Sequence, residues 1–250
     1  MTEHVDRWAP LSANAWLRYD IVRRMLPSGV RDVLDVGCGQ AAIGVRLAQR
    51  YAYVGVELDP TSAAVAARRI GHLGRGTVRQ GTVDVLGAQT FDLVCAFEVL
   101  EHIDDDGGAL AQWAAHLRPG GWLLISVPAF QRRYGPADEL VGHFRRYDPD
   151  ALREVLAKAG FTDIALRQYG MPLGYALEAA RNAIGRRRLA RRTAPTTVLD
   201  RTAGSGRLLQ PRNGWGGLVN RWGTAPFRVA QRFFPAAGPG LVALARRAEE

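Results

Sequence analysis

The stretch V-L-D-V-G-C-G-Q-A-A-I-G at residues 33–44 decides how the chain folds. Its apolar first half reads as a buried strand, and glycines 37 and 39 then turn the chain into a segment that we expect to be a helix over 41–50. A glycine turn lets a ligand approach the backbone, and a helix N-terminus offers unpaired N–H groups. Ala41 stands where another glycine would fit, and we expect it to have helical dihedral angles.

An acidic residue closes the next predicted strand. Glu57 follows Gly37 by twenty residues, and a carboxylate at that position can accept hydrogen bonds from the hydroxyls of a ribose. The two features together predict an adenosine-containing cofactor without saying which one. Because Gly37-x-Gly39-x-x-Ala42 also fits the loose dinucleotide pattern, an NAD(P)-dependent oxidoreductase stays open, as does a turn that holds no ligand.

Short apolar runs alternate with helical patterns over the first two thirds of the chain, which is typical of an α/β fold with a parallel sheet. Beyond Gly170 this pattern gives way to arginine, glycine, proline and scattered aromatic residues. We predict one domain formed by 1–170 and 238–250, with an arginine-rich, aromatic helical insertion at 171–237. Predicted helices cover 12–26, 41–50, 60–70, 106–117, 149–159, 172–191 and 216–234, and predicted strands cover 31–36, 52–57, 76–80, 91–96, 122–127, 162–168 and 240–246.

The positive charge is concentrated at one end of the chain. Residues 1–180 contain 19 Lys and Arg against 21 Asp and Glu, a net charge of −2, whereas residues 181–250 contain 14 Arg against 3 acids, a net charge of +11. The basicity therefore belongs to the last 70 residues rather than to the fold as a whole.

The two cysteines, Cys38 and Cys95, lie in apolar stretches and make no disulfide framework. We interpret them as reduced thiols, with a Cys38–Cys95 redox pair as the alternative. The first ten residues lack the apolar core of a signal peptide, and no run reaches the ~18 apolar residues of a spanning helix. These features predict a cytoplasmic protein.

Two later segments narrow the choice of cofactor. F-D-L-V-C-A-F-E-V-L-E-H-I at 91–103 and L-R-P-G-G-W-L-L-I-S-V-P at 117–128 follow the glycine turn and G-V-E-L-D-P in order. Together these four motifs closely resemble the class I S-adenosylmethionine-dependent methyltransferases, especially the small-molecule group that includes the ubiquinone-pathway O-methyltransferases. The segment 142–161 resembles the same group. The resemblance implies a Rossmann-like three-layer α/β sandwich with a mostly parallel seven-stranded sheet in the order 3-2-1-4-5-7-6.

The resemblance also implies roles for individual residues. The glycine turn and Asp35 would hold the methionine half of S-adenosylmethionine, and Glu57 would bind the ribose. Leu58 would pack on the adenine, and Thr82 would replace the acid that usually approaches the adenine amine. The cofactor-binding residues that we predict are Asp35, Gly37, Cys38, Gly39, Gln40, Glu57, Leu58, Thr82, Val83, Phe97 and Glu98.

Two histidines are candidates for removing a proton from a hydroxyl acceptor. His102 follows the fourth strand at the open end of the sheet, and His143 lies in the segment that covers the acceptor in the resembling family. His102 could instead belong to a carboxylate–histidine metal site or cap the next helix; we predict no resident metal. The acidic run 104–106 is interpreted as the solvated start of a helix.

The sequence says less about the methyl acceptor than about the cofactor. An anionic acceptor could be gripped by side chains near His143, or these could be solvated loop residues: Arg132, Arg133, Tyr134, Arg145, Arg146 and Tyr147. The insertion 171–237 could form a lid, contact an anionic membrane surface, or do both, and nucleic acid is the least favoured partner.

The sequence thus predicts a methyltransferase that acts on a hydroxyl of a small or lipid-linked acceptor. It is expected in the cytoplasm, with peripheral membrane contact as the alternative. An NAD(P)-dependent oxidoreductase and a non-catalytic protein that binds an adenosine cofactor are the competing functions.

Overall fold

The computed structural model describes residues 9–191 and 214–249. A seven-stranded sheet in the order β3-β2-β1-β4-β5-β7-β6 forms its centre, as predicted. The strands are β1 Asp32–Val36, β2 Ala52–Glu57, β3 Gly76–Gln80, β4 Phe91–Phe97, β5 Leu117–Pro128, β6 Phe161–Tyr169 and β7 Gly240–Arg247. The first five strands pair in parallel, and β7 runs antiparallel between β5 and β6.

Helices cover both faces of the sheet. The helices are α1 Ala13–Met25, α2 Gly44–Leu47, α3 Pro60–Gly71, α4 Asp106–Ala115, α5 Pro136–Val141, α6 Pro149–Lys158, α7 Leu173–Leu189, α8 Gly214–Gly223 and α9 Ala225–Ala230. The helices and the sheet enclose two apolar cores, one on each face of the sheet. Buried side chains of β4 alternate between them, since Val94 belongs to one core and Cys95 to the other.

The expected strand at 240–246 does belong to the sheet, and it therefore joins β5 to β6 after the segment 171–237. Within that segment, α7, α8 and α9 are helical. Residues 192–213 of the segment lie outside the described residues.

Two predicted helices begin at a residue whose side chain caps the first turn. Oδ2 of Asp59 accepts a hydrogen bond from the Ser62 N–H at 2.9 Å, with Pro60 in the first turn of α3. The carboxylate of Asp105 accepts from the Gly108 N–H at 2.9 Å and caps α4. The acidic run 104–106 therefore does begin a helix. Asp148 occupies the N-cap of α6 without a side-chain capping bond.

Two expectations about the glycine turn were wrong. Ala41 has φ +56°, and the helix after the turn begins only at Gly44. The physical reason is that the turn is longer than expected: the Ala41 N–H closes it by donating to the Cys38 carbonyl at 2.9 Å. Ala41 is still inside the turn, in a left-handed conformation that a residue with a Cβ adopts at a cost.

Candidate active site

The carboxyl ends of β1, β2 and β4 open into one large cavity of about 1010 Å³. In a parallel sheet these ends meet where neighbouring strands diverge, and ligands bind there. The cavity lies at the upper end of the ~300–1,000 Å³ typical of small-molecule sites. All eleven residues predicted to bind the cofactor line it, together with His102 and His143. The sequence motifs therefore converge on a single site, although their binding roles stay predictions.

The glycine turn forms one wall of this cavity. Gly39 has φ +56°, and a Cβ built on it would meet no atom within 4 Å, so the turn exposes bare backbone to open space. The Gly39 N–H donates to Oε2 of Glu57 at 2.7 Å, and the Asp59 N–H donates to Oε1 at 2.9 Å. Each carboxylate oxygen has a further lone pair for a hydroxyl. Glu57 thus holds the turn and can still accept from a ribose.

Asp35 lies behind the turn. Its side chain is buried, and Oδ2 accepts a hydrogen bond from the Tyr53 hydroxyl at 2.8 Å. Burial raises the pKa of Asp35 to about 7 despite that hydrogen bond. The carboxyl is therefore partly protonated near neutral pH, and a nearby positive charge would favour its ionised form.

Glu98 faces the turn from the end of β4, with a left-handed φ of +58°. Its Oε1 accepts from the Ser126 hydroxyl at 3.0 Å and lies 3.2 Å from a guanidinium nitrogen of Arg18. Burial would raise the pKa of Glu98, but Arg18 and Ser126 lower it, so the carboxylate is ionised. Among the described residues no hydrogen bond reaches Oε2. That oxygen remains able to accept from a ligand ammonium group.

Arg18 is a site residue that the sequence did not single out. It projects from α1 into the cavity beside Glu98, and its Nε is buried without a hydrogen-bond partner among the described residues. An isolated arginine in a helix near the N-terminus gives no motif. Its partnership with Glu98, eighty residues away, exists only in the folded chain.

Leu58 and Thr82, the residues predicted to meet the adenine, both line the cavity. Leu58 is half exposed, and the Thr82 hydroxyl donates to Asp84 at 2.6 Å. Since that bond uses the hydroxyl proton, the Thr82 oxygen retains lone pairs for an amine. Both positions suit the roles that the resemblance implies.

The predicted catalytic histidines touch each other. The rings of His102 and His143 pack edge to face, with centroids 4.6 Å apart. Burial and the neighbouring His143 lower the pKa of His102 to about 4, so His102 is neutral at pH 7 and a weak base. Its Nδ1 is buried without a hydrogen-bond partner in the described chain.

His143 is oriented by a carboxylate that sequence reasoning missed. Its Nδ1 lies 2.8 Å from Oδ1 of Asp138, on α5. Burial would raise the pKa of Asp138, but hydrogen bonds from His143 and Arg146 lower it to about 2. The ionised carboxylate therefore accepts a hydrogen bond from Nδ1–H, which leaves Nε2 of a neutral His143 as a proton acceptor.

A buried acid stands on the other side of His143. Oε1 of Glu101 lies 3.8 Å from Nε2 of His143, and neither carboxyl oxygen of Glu101 has a hydrogen-bond partner among the described residues. Burial, and then the charge of Glu98, raise the pKa of Glu101 well above its ordinary value, which favours the protonated form.

The same groups resemble a metal-ligand set. Ligand atoms of Glu101, His102 and His143 all lie within 4.8 Å of one another. One carboxylate and two imidazoles suit a zinc-like cation once Glu101 is ionised. The absence of a resident metal therefore stays a prediction, and proton transfer and metal binding are alternative uses of this cluster.

The predicted acceptor-binding side chains are mostly engaged elsewhere. Arg146 lines the cavity, but its guanidinium is buried against Asp138 and Glu178. Arg133 also pairs with Glu178. The remaining contacts place Arg132 over the Phe130 ring, Tyr134 on the His143 carbonyl, Arg145 on Asp104 and Asp106, and Tyr147 on Asp106. The binding of an acceptor by these side chains stays a prediction. Their contacts with other residues do not favour it.

The two cysteines are both free. Cys38 is half-buried in the turn and Cys95 is buried in β4, and burial raises the pKa of each thiol well above its ordinary value. High thiol pKa values suit inert residues rather than a reactive redox pair.

The sheet order and the cavity at its carboxyl edge define a class I methyltransferase fold with an adenosyl-cofactor site. A family model described as a methyltransferase domain matches residues 7–166, well over half of the chain. The protein therefore belongs to the methyltransferase-domain family, and S-adenosylmethionine is the cofactor that this membership assigns. The exposed backbone at Gly39 and the accepting oxygens of Glu57 and Glu98 fit that molecule.

Individual relatives agree with the family. An uncharacterized methyltransferase of Mycobacterium tuberculosis is 35% identical over 118 residues, which cover 45% of this chain and 58% of that protein. A ubiquinone biosynthesis O-methyltransferase of Bradyrhizobium is 36% identical over 105 residues, 40% of each chain. The chain thus aligns with about half the length of the curated relatives it matches.

A solved structure extends the likeness to the whole fold. A phosphoethanolamine N-methyltransferase of Haemonchus contortus, in complex with S-adenosylhomocysteine, superposes with a TM-score of 0.58 at 16% identity, over 92% of this chain and 52% of that chain. At that identity the likeness shows the fold alone.

No helix within the described residues is long and apolar enough to cross a bilayer.

Proposed function

We propose that this protein transfers a methyl group from S-adenosylmethionine to a hydroxyl of a small acceptor. The observation that carries the proposal is the His143–Asp138 pair, which opens into the same cavity as the glycine turn and Glu57. The hydroxyl specificity is further supported by the likeness to ubiquinone biosynthesis O-methyltransferases. Because the protein is assigned to a methyltransferase family, an NAD(P)-dependent oxidoreductase is disfavoured.

The cofactor would be held at its charged end by a pair of opposite charges. Oε2 of Glu98 accepts from the methionine ammonium group, and the Arg18 guanidinium beside it binds the carboxylate. Glu57 accepts from the ribose hydroxyls, and Leu58 packs on the adenine. When bound, the cofactor supplies a methyl group on a positively charged sulfur. The chain's own task is to align the acceptor and remove its proton.

His143 removes that proton. Nε2 of the neutral imidazole accepts it from the acceptor hydroxyl, and Asp138 stabilises the imidazolium through Nδ1–H. His102 packs against the imidazole and holds its orientation without taking the proton, because its own pKa is about 4. Methyl transfer and proton removal then occur in one cavity.

The insertion would close this cavity. Glu178 on α7 binds Arg146 and Arg133 of the segment that follows β5, and α7 also supplies Leu177 and Arg181 to the cavity wall. We therefore propose 171–237 as a lid over the acceptor, built onto the domain formed by 1–170 and 238–250.

A direct test combines binding with turnover. Wild-type protein is titrated with S-adenosylhomocysteine in a calorimeter, and then incubated with methyl-labelled S-adenosylmethionine and a panel of phenols and catechols. We expect tight binding and label transfer to at least one hydroxyl, with transfer lost in His143→Ala while binding persists. Label transfer only to amines, or label transfer that persists in His143→Ala, would overturn the assignment of His143. A parallel measurement with a metal chelator distinguishes general base catalysis from metal catalysis.

A second candidate function is docking on an anionic membrane surface. Large apolar side chains are exposed on α8, α9 and the turn after them, including Trp222 at 69% and Phe233 at 77% exposure. Arg221 lies beside the Trp222 ring, 5.8 Å from its centroid. Aromatic and basic side chains on one surface suit the interface of an anionic bilayer. The other exposed apolar residues of this surface are Leu218, Val219, Val229 and Phe234.

Liposome sedimentation tests this candidate. Vesicles containing phosphatidylglycerol should retain the wild-type protein at low salt and release it as salt rises. The double variant Trp222→Ser and Phe233→Ser should bind at least tenfold more weakly. Val85→Ser, which removes an exposed apolar side chain elsewhere, is the matched control. Equal binding of wild type, the double variant and the control would rule out this surface as a membrane-docking site.

A further inference from the structure

A second arginine of the cavity, besides Arg18, has a buried guanidinium nitrogen that no described residue hydrogen-bonds. Arg181 projects from α7, one helical turn beyond Leu177, and both residues line the cavity. Its Nε is buried and makes no hydrogen bond within residues 9–191 and 214–249. Leaving a buried donor unsatisfied is costly, and more so for a charged group. Such a group in a ligand cavity is satisfied when a ligand brings the acceptor.

The acids near Arg181 already have other ion-pair partners. Glu178, one turn earlier on the same helix, is already bound by Arg133 and Arg146. Glu98 has its ion pair with Arg18. The pKa of Glu98, which burial would raise, is lowered mainly by Arg18 and further by Arg181. Arg181 is therefore close enough to Glu98 to lower its pKa, while its own Nε has no hydrogen-bond partner among the described residues.

Two arginines, from two different helices, thus line the cavity. Arg18 comes from α1, next to Glu98, where the two side chains match the opposite charges of an amino-acid end group. Arg181 comes from α7, which packs against α5 and also contacts α1, and it acts on the same Glu98 carboxylate. A cofactor with one carboxylate would satisfy Arg18, which leaves the second arginine available for a second anion.

The surroundings of Arg181 describe the rest of that ligand. Leu140 and Val141 of α5 and Leu177 of α7 also line the cavity. Apolar walls with one fixed cation suit a ligand with an apolar or aromatic body and one anionic group.

We propose that Arg181 binds an anionic group of the methyl acceptor, a carboxylate or a phosphate monoester on an apolar body. This inference rests on the proposed methyl-transfer function and names the class of its acceptor. The guanidinium fork of Arg181 binds the anion at one end of the acceptor, and the hydroxyl then lies toward His143. The arginine thereby selects anionic acceptors over neutral ones and fixes their orientation.

The test uses the full chain saturated with S-adenosylhomocysteine. Calorimetry measures the affinity of three probes that share an aromatic body: phenol, benzoate and phenyl phosphate. We expect at least one anionic probe to bind tenfold or more tightly than phenol, and the stronger of benzoate and phenyl phosphate identifies the anion. Arg181→Gln should remove that preference. Arg186→Gln, at an exposed arginine of the same helix, should retain it.

Affinity for S-adenosylhomocysteine, measured on the same proteins, distinguishes the possible failures. It should be unchanged in Arg181→Gln, which also shows that the variant is folded. A tenfold loss of this affinity would make Arg181 a cofactor residue and overturn the inference. The inference is equally overturned if the wild-type complex binds phenol as well as the anions, or if both variants lose anion affinity alike. Failure of the wild-type protein to bind S-adenosylhomocysteine would instead refute the proposed function.

Discussion

Nδ1 of His143 lies 2.8 Å from Oδ1 of Asp138, and the buried guanidinium of Arg146 binds the same carboxylate. Arg146 in turn pairs with Glu178 on α7. The orientation of the proposed base is therefore linked to α7, which lines the cavity. A substitution of Asp138 or Arg146 should therefore change the orientation of the His143 imidazole, although neither residue is predicted to bind the cofactor.

Replacing the proposed base should separate chemistry from binding. His143→Ala should lower kcat for methyl transfer to a hydroxyl by at least ~100-fold, because general base catalysis typically contributes about 10²–10⁴. The affinity for S-adenosylhomocysteine should change less than threefold by calorimetry. His72→Ala, at an exposed histidine, is the control for loss of an imidazole. An unchanged kcat in His143→Ala would assign proton removal to another group.

Glu57 should support both the turn and the ribose. Glu57→Ala should weaken S-adenosylhomocysteine binding by at least tenfold, about 1.4 kcal/mol, because two backbone N–H groups and the ribose lose their common acceptor. Glu57→Gln keeps one acceptor oxygen and should lose less. Calorimetric titration measures both. Unchanged affinity in the alanine variant would disprove the assignment of Glu57.

Asp35 should make stability depend on pH. Its pKa is about 7 in the folded protein against 3.8 in a free side chain, so the folded state binds the proton more tightly. Stability from this group is complete below pH 3.8 and falls as pH rises toward 7. Asp35→Asn removes that fall. The free energy of unfolding of the variant relative to wild type should rise by about 3 kcal/mol between pH 5 and pH 8.

Urea unfolding at both pH values measures this difference. Tyr53 can still donate its hydrogen bond to the Asn oxygen, so the comparison isolates the charge. A difference that stays constant between pH 5 and pH 8 would mean that Asp35 titrates at its ordinary pKa.

Breaking the buried ion network should be costly. Arg146→Met leaves Asp138 and Glu178 without their shared cation, and the loss of one partner of a buried pair typically costs 3–5 kcal/mol. Urea unfolding of the full chain should show this loss. Lys158→Met, which breaks an exposed pair with Glu154, should leave the midpoint unchanged. A similar small effect in both variants would show that the network contributes little to stability.

The sheet was predictable because its signals are local. Apolar runs, glycine turns and the capping pair Asp59–Pro60 each act over a few residues, and four motifs in order gave the strand order through the resemblance. The strand at 240–247 was recognised because an apolar run bounded by Gly-Pro stands out against an arginine-rich segment. The helix after the glycine turn was predicted too long, since the dihedral angles of Ala41 depend on how the turn closes over Cys38.

The acid–base and charge network was not predictable in the same way. Asp138, Glu178, Arg18 and Arg181 belong to no motif, and their importance comes from burial and from partners far away in the sequence. The Arg-rich segment around His143 suggested an anion grip, but folding places buried acids against Arg133 and Arg146. The sequence shows that these charges exist, and only the packed structure shows which of them pair with each other.

The most direct test of the central claim is calorimetric titration of the wild-type protein with S-adenosylhomocysteine and, separately, with NAD. We expect one site per chain for S-adenosylhomocysteine and no heat of binding for NAD, because the residues that line the cavity, including Gly39, Glu57 and Glu98, suit an adenosyl amino acid. Binding of NAD without binding of S-adenosylhomocysteine would contradict it and would make the turn at residues 37–39 a dinucleotide site.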